Sequence, residues 1–276
     1  MSASAAGRRR LSNVIVPIAT VLVCAVYFVL PLIAMTRFSF QSIPVINLRW
    51  SNLTSRWSFD PVVEPFRDEQ LRSAMYLSIK LAVATVFATM ALLIPTTVWV
   101  NLRLPRMRSI IEFLTVLPYV IPPIALVAGI RVVQPHARWF LNSHYSLVPF
   151  YVVLALPFTY RALDAGMRAL DLKTLVDASR SLGAGWGTTL RRAIIPNLRT
   201  SIVSASFLTA TVVLGEYTIA SVLLKPTLTQ ELVVFQQSNG QQGTAMSLLL
   251  LVATTLLLGV LTIVTRKRGG ASVTPV

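Results

Sequence analysis

The sequence predicts an all-α integral membrane protein of six transmembrane helices, and three observations carry that prediction. Only 13% of its 276 residues are charged against 54% hydrophobic, and the mean hydropathy is +0.68. A soluble domain carries roughly 25% charged residues, so this chain has too little polar surface to cover itself in water. Six stretches are long and apolar enough to cross about 30 Å of hydrocarbon, which takes about 20 helical residues. Finally, the basic residues gather in the short segments on one side of those stretches.

The six stretches run Val14–Met35, Ala74–Val100, Ile110–Val133, Leu147–Tyr160, Ile202–Leu224 and Ala245–Val264. The first is longer than the 7–15-residue core of a cleaved signal and lacks a clear A-x-A site, so it reads as an uncleaved signal-anchor. The fourth is short and contains Pro157. Prolines also fall in or beside the other spans, at Pro95, Pro118, Pro122 and Pro123. Broken helices are tolerated where backbone lines a cavity or is buried by neighbours, and in transporters such breaks often border the substrate path. Proline is also simply commoner in membrane helices than in soluble ones.

Orientation follows from the Lys/Arg bias. With Arg8, Arg9 and Arg10 inside, six crossings place four basic groups on the same side: these three, Arg103, Arg106 and Arg108, the seven from Arg161 to Arg199, and Arg266, Lys267 and Arg268. The opposite side carries a long segment, Arg37 to Arg72, diluted by Asp60, Glu64, Asp68 and Glu69. Both termini are expected in the cytoplasm, as an even number of spans requires. The net charge of +15 thus belongs to loops beside a membrane rather than to a nucleic-acid surface. Residues 1–72 read as the anchor helix and outer loop, 73–265 as the transmembrane core with a cytoplasmic loop over 161–200, and 266–276 as a cytoplasmic tail. The outer loop holds Pro44, Pro61, Pro65, Trp50 and Trp57 and suits an interfacial segment; its Asn52-Leu53-Thr54 sequon is a three-residue match that chance explains.

Cofactor chemistry finds little support. Cys24 is the single cysteine, and His136 and His144 share one polar connector with no acid or cysteine cluster near them, so no metal-ligand set is legible. An intramembrane hydrolase needs a Ser–His pair, paired aspartates or zinc ligands within its spans, and these are absent. No G-x-x-x-x-G-K-[ST] phosphate cradle occurs either, so any energy from ATP must come through a partner. An ion-driven carrier working alone is the other possibility, although such folds usually carry internal repeats.

The largest inner loop contains DASRSLGAGWGTTLRRAIIPNL, residues 177–198. From Leu170 onward, Leu172, Leu175, Val176 and Leu182 recur at helical spacing and predict a short amphipathic helix. Gly183, Gly185 and Gly187 are expected to break it, because glycine reaches left-handed dihedrals without penalty. A second short helix over Thr188–Ile195 follows, and Pro196 ends that helix or begins the next. Such a hairpin could rest on anionic lipid head groups.

The spacing is more particular than lipid binding requires. An acid, two small residues, a glycine and a later aliphatic-proline pair resemble the EAA loop of ABC-importer permeases, here Asp177-Ala178-Ser179, Gly183 and Ile195-Pro196. Aspartate replaces the usual glutamate and serine the second alanine. On this resemblance, covering roughly residues 70–265, the chain is similar to a permease of the type I ABC importers of bacterial inner membranes. The family implies a cytoplasmic ATPase dimer that binds ATP and magnesium, none being held by this chain. It also implies an extracytoplasmic binding protein and a second permease subunit, identical or different. Asp177, Ala178, Ser179, Gly183, Ile195 and Pro196 would then couple to the ATPase.

For the cargo, Glu216 in LGEYTIASVL is the clearest charge inside a span, and intramembrane charges are functional candidates by default. Neighbouring Tyr217 adds a cation-π face. A carboxylate there suits a cationic solute; the alternatives are that it pairs with a basic residue of a partner subunit or reaches the outer aqueous cavity. Glu112 and Lys80 lie near span ends, where snorkelling accounts for them. The segments around Leu214–Leu223 and LPYVIPPIAL (117–126) most resemble the spermidine/putrescine, iron, thiamine and phosphonate permeases, with sugar permeases less alike. Within that group Glu216 favours a polyamine.

Overall fold

The computed structural model describes residues 3–41, 47, 49, 56–133 and 135–269. Pro44, Trp50 and the Asn52-Leu53-Thr54 sequon lie outside the described residues. The described chain is mostly helical, and each of the six predicted spans falls largely on helix, two of them interrupted by a break. Its principal helices are α1 (Ala3–Phe40), α2 (Glu69–Arg103), α3 (Arg108–Val120), α4 (Pro123–Val133), α5 (Leu147–Ala169), α6 (Leu172–Ser181), α7 (Trp186–Asn197), α8 (Arg199–Gly215), the short α9 (Thr218–Val222), α10 (Leu228–Ser238) and α11 (Gly240–Gly269). They fall into two compact units, residues 1–68 with 234–253, and residues 69–233 with 254–276.

In the first unit α1 is a single 38-residue helix, about 57 Å long at 1.5 Å per residue. Its apolar stretch Val16–Phe40 has the length and hydropathy of a membrane span. The chain leaving α1 is held locally. Ser58 donates its N–H to Phe40 O at 2.8 Å, the Phe40 and Phe59 rings meet edge-on at 5.5 Å, and Gln241 Nε2 donates to Gln41 O at 2.8 Å.

The second unit is built on α2, α5 and α8. Glu69 in the first turn of α2 and Arg103 in the last complement the helix dipole. The helix stops because Leu104 precedes Pro105, whose ring disfavours helical backbone in the residue before it; Leu104 takes φ −132°, ψ 49°. Along the helix, Leu81 and Ala82 pack with Leu147, Tyr151, Leu154, Val213 and Ile219. Met90, Leu93 and Ile94 pack with Tyr160, Leu163 and Ala205 further along. Several polar side chains in these spans find partners within the unit. Thr97 bonds back to Leu93 O at 2.6 Å, and the Thr159 and Thr209 hydroxyls meet at 2.8 Å across α5 and α8, the small-polar contact that helix pairing in a membrane uses.

Three spans differ from their sequence-predicted shapes. The third is two helices, because Ile121 turns extended (φ −83°, ψ 121°) ahead of Pro122 and Pro123 starts α4 at the position where a missing N–H costs nothing. The fourth runs past Tyr160 to Ala169 without a break; Pro157 lies buried inside it. The fifth ends at Gly215, and Glu216 is extended (φ −78°, ψ 126°) before the short α9.

Candidate coupling and translocation site

The residues from Asp171 to Leu198 form a helix, a locked turn and a second helix. Asp171 caps α6 by accepting the Thr174 N–H at 3.3 Å, and its hydrogen bonds to Thr174, side chain first and backbone second, hold its carboxyl below the usual aspartate range. Leu172 and Val176 are buried against Val98, Met167, Ile194 and Leu198. Burying two such side chains is worth about 2 kcal/mol each. Lys173, Asp177, Ala178 and Arg180 are exposed. Ser179 is half-buried, and its hydroxyl meets that of buried Thr189 at 3.0 Å, tying α6 to α7.

The end of α6 is a Schellman lock. Ala184 donates to Ser179 O at 3.2 Å and Gly183 donates to Arg180 O at 2.9 Å, with Gly183 at φ +80°. These are the two bonds that define that motif around a left-handed residue. Of the three glycines expected to break the helix, Gly183 alone does so among the described residues. Gly185 caps α7 with φ −73°, ψ 166°, and Gly187 lies inside it. Arg180 stacks over the Trp186 ring at 5.4 Å and so braces the turn.

Within α7, residues Thr189–Ile194 form a widened π-type turn. Proline has no N–H, and its ring clashes with the carbonyl four residues back; the widening directly precedes Pro196 and relieves that clash. Ile195 is half-buried and Pro196 exposed. The chain then turns by 80° between Trp186–Asn197 and Arg199–Gly215. A cleft of about 610 Å³ opens between α6 and the ends of α2 and α5, lined by Asn101, Arg103, Arg168, Lys173, Asp177 and Trp186 among others.

Glu216 lies at the second candidate region. Its Oε1 accepts the Ile219 N–H at 2.7 Å and its Oε2 the Ala220 N–H at 3.2 Å, so the carboxylate caps α9 where α8 breaks off. With Tyr217, Thr218, Thr211, Tyr119 and Pro118 it lines a cleft of about 540 Å³. The break in α3–α4 and the break in α8–α9 therefore border one cavity.

Sequence reasoning overlooked Asp164. It is buried on α5 at 2% exposure and paired with Arg108, with Arg168 at 3.3 Å. Ending the fourth span at Tyr160 had put it in a loop. The signal was present in the spacing of Arg161, Asp164 and Arg168, which keeps three- and four-residue helical steps going beyond the apolar run.

Comparison with known proteins identifies the family. The model of the family "binding-protein-dependent transport system inner membrane component" matches residues 94–268, and the chain belongs to that family. It is the permease component of an ABC importer, a membrane transport subunit rather than an enzyme, and ATP is hydrolysed by a partner ATPase. The fold is similar to the crystal structure of a bacterial ABC transporter involved in the import of the acidic polysaccharide alginate. That match has a TM-score of 0.66 and 16% identity over 97% of this chain and 98% of the other. Comparison with curated protein sequences returns no match.

Proposed function

We propose that α6 is the part of this permease that meets the ATPase, and that Asp177, Ala178, Ser179, Gly183, Ile195 and Pro196 form its coupling element. The carrying observation is the split character of the helix. Leu172 and Val176 are sunk into the transporter's own helices while Asp177, Ala178 and Arg180 face outward. A helix gripped on one side, free on the other and locked at its end moves as a rigid body. In this reading segment 161–200 and both termini are cytoplasmic. An ATPase dimer binds ATP and magnesium, a second permease subunit completes the path, and an extracytoplasmic binding protein delivers the solute.

For the cargo we infer a small charged solute, with a polyamine suiting the Glu216–Tyr217 pair. An ionised carboxylate has about four lone-pair positions, and two backbone N–H bonds leave Glu216 able to meet a cation. An acidic solute such as that imported by the structural neighbour would meet repulsion there. Glu216→Gln is expected to lower uptake of spermidine while the complex still assembles; undiminished uptake removes Glu216 from the path.

The test of the function as a whole is purification of the chain from its native membrane in mild detergent. A subunit bearing a phosphate-cradle motif should accompany it, and ATPase activity should follow the pair. A chain that purifies alone without nucleotide hydrolysis would contradict the reading.

A further inference from the structure

Among the described residues Asp164 is the one buried carboxylate. At that depth an unpaired charge is expensive, and three elements supply its partners. Arg108, the first residue of α3, forms an ion pair with it. Asn101, near the end of α2, donates its Nδ2 to Asp164 Oδ1 at 3.2 Å. Arg168, one turn along α5, lies 3.3 Å away but is 58% exposed, so screening leaves its contact weak. Arg108 is 24% exposed and is the stronger partner.

Two further contacts give this cluster a direction. Asn101 Nδ2 also lies 3.9 Å from Met167 Sδ, and Met167 belongs to the apolar cluster that grips Leu172 and Val176 of α6. On its other side the cluster holds the start of α3. That helix has 13 residues, about 20 Å at 1.5 Å per residue. Beyond its last turn lies the break at Ile121, and Pro118, Tyr119 and Ile121 line the Glu216 cleft.

We propose that the Asp164–Arg108 pair is the joint that carries a displacement of α6 to the cleft, with Asp164 acting as a positioning residue for transport. The proposal deepens the coupling reading above and rests on it. Apolar contacts such as Met167 against Val176 are non-directional and can slip. A charge-assisted pair fixes both distance and angle, so movement of α5 and α6 draws the end of α3 with it. Glu112 and Arg161 meet at 2.9 Å one turn further along the same seam, but at 40% and 63% exposure they are screened and cannot replace the buried pair.

The test uses the whole complex with its ATPase, reconstituted in lipid, and needs no knowledge of the cargo. Cys24, the single native cysteine, is changed by Cys24→Ser. Tyr119→Cys then places a reporter at the far end of α3, where Tyr119 is 48% exposed. Its maleimide labelling rate is compared between the nucleotide-free complex and the complex trapped with ATP and vanadate. With Asp164 in place the rate should change at least fivefold. In Asp164→Asn the ATPase should still co-purify and hydrolyse ATP while the rate no longer responds, and Asp164→Glu should regain at least half the response. A full response in Asp164→Asn, or none in Asp164→Glu, would overturn the proposal. If Asp164→Asn fails to accumulate, Arg108→Lys, which keeps the charge but loses the planar fork, should cut the response fivefold; a full response there would overturn it equally. A parent complex with no nucleotide response would remove the coupling reading itself and the joint with it, an outcome distinguishable from failure of Asp164 alone.

Discussion

Gly166 on α5 faces Ser201 on α8 so closely that a Cβ added to the glycine would lie 1.9 Å from Ser201 Oγ and 2.6 Å from its Cβ. The two helices can approach to that distance only because residue 166 has no side chain, the small-residue packing that replaces hydrophobic drive inside a membrane. Gly166→Ala is therefore expected to push α5 and α8 apart, at a cost of about 1–3 kcal/mol. Thermal unfolding of the purified permease in detergent should drop accordingly, and Ser201→Gly in the same chain should restore most of it. A Gly166→Ala protein as stable as the parent would show that the two helices do not depend on this contact.

Gly183 poses the opposite problem. A Cβ there meets nothing within 4 Å, but φ is +80°. The penalty for substitution is thus backbone strain of about 1–2 kcal/mol, not a clash. Gly183→Asn, which tolerates left-handed backbone, should keep uptake near normal. Gly183→Val, or Gly183→Pro, whose ring fixes φ near −65°, should abolish uptake while the permease still accumulates in the membrane. Equal activity of the Asn and Val variants would show that the lock is not needed.

Asp171 makes a pH-dependent contribution whose sign follows from its lowered pKa. A carboxyl held lower in the folded chain than in the unfolded one stabilises the cap above the unfolded value, near 3.9. That contribution is lost as pH falls through the folded value. At neutral pH the cap is fully formed, and protection of the Thr174 amide relative to its intrinsic exchange rate should hold down to about pH 4 and fall below it. Asp171→Asn should remove the step in the exchange profile.

Lys225 is 8% exposed, and its ammonium donates to Leu141 O at 2.6 Å and Asn142 O at 3.1 Å. Lys225→Met leaves both carbonyls without this donor, a loss of about 1–3 kcal/mol. Limited proteolysis of the 135–146 connector should be faster in that variant than in the parent. Unchanged cleavage would show that the connector is held by other contacts.

These residues also show what a sequence discloses and what it withholds. The helix, turn and helix over 170–198 were legible because the periodicity of Leu172, Leu175 and Val176 and the later glycines act locally. That Gly183 alone is left-handed was not, since it depends on where α6 runs out and which carbonyls the turn must satisfy. Pro122 and Pro123 were noted in the sequence, but the third span was read as one stretch and the break at Ile121 was not assigned to it. The break at Glu216 was not legible either, because no proline marks it and the carboxylate's bonds to the Ile219 and Ala220 N–H groups are structural detail that no local pattern announces. Glu216 was read as a charge inside a span and a candidate for the substrate path; that its carboxylate also caps a helix was not foreseen. Asp164 was hidden because hydropathy stops at Tyr160 while the helix continues on the strength of its charged partners.

The central claim, that the exposed side of α6 meets the ATPase, is tested most directly by a photo-crosslinking amino acid at Ala178, with one at Trp139, 81% exposed, as the control. The account predicts a crosslink from position 178 to the ATP-hydrolysing subunit and none from position 139. No crosslink from 178, or an equal one from 139, would contradict it.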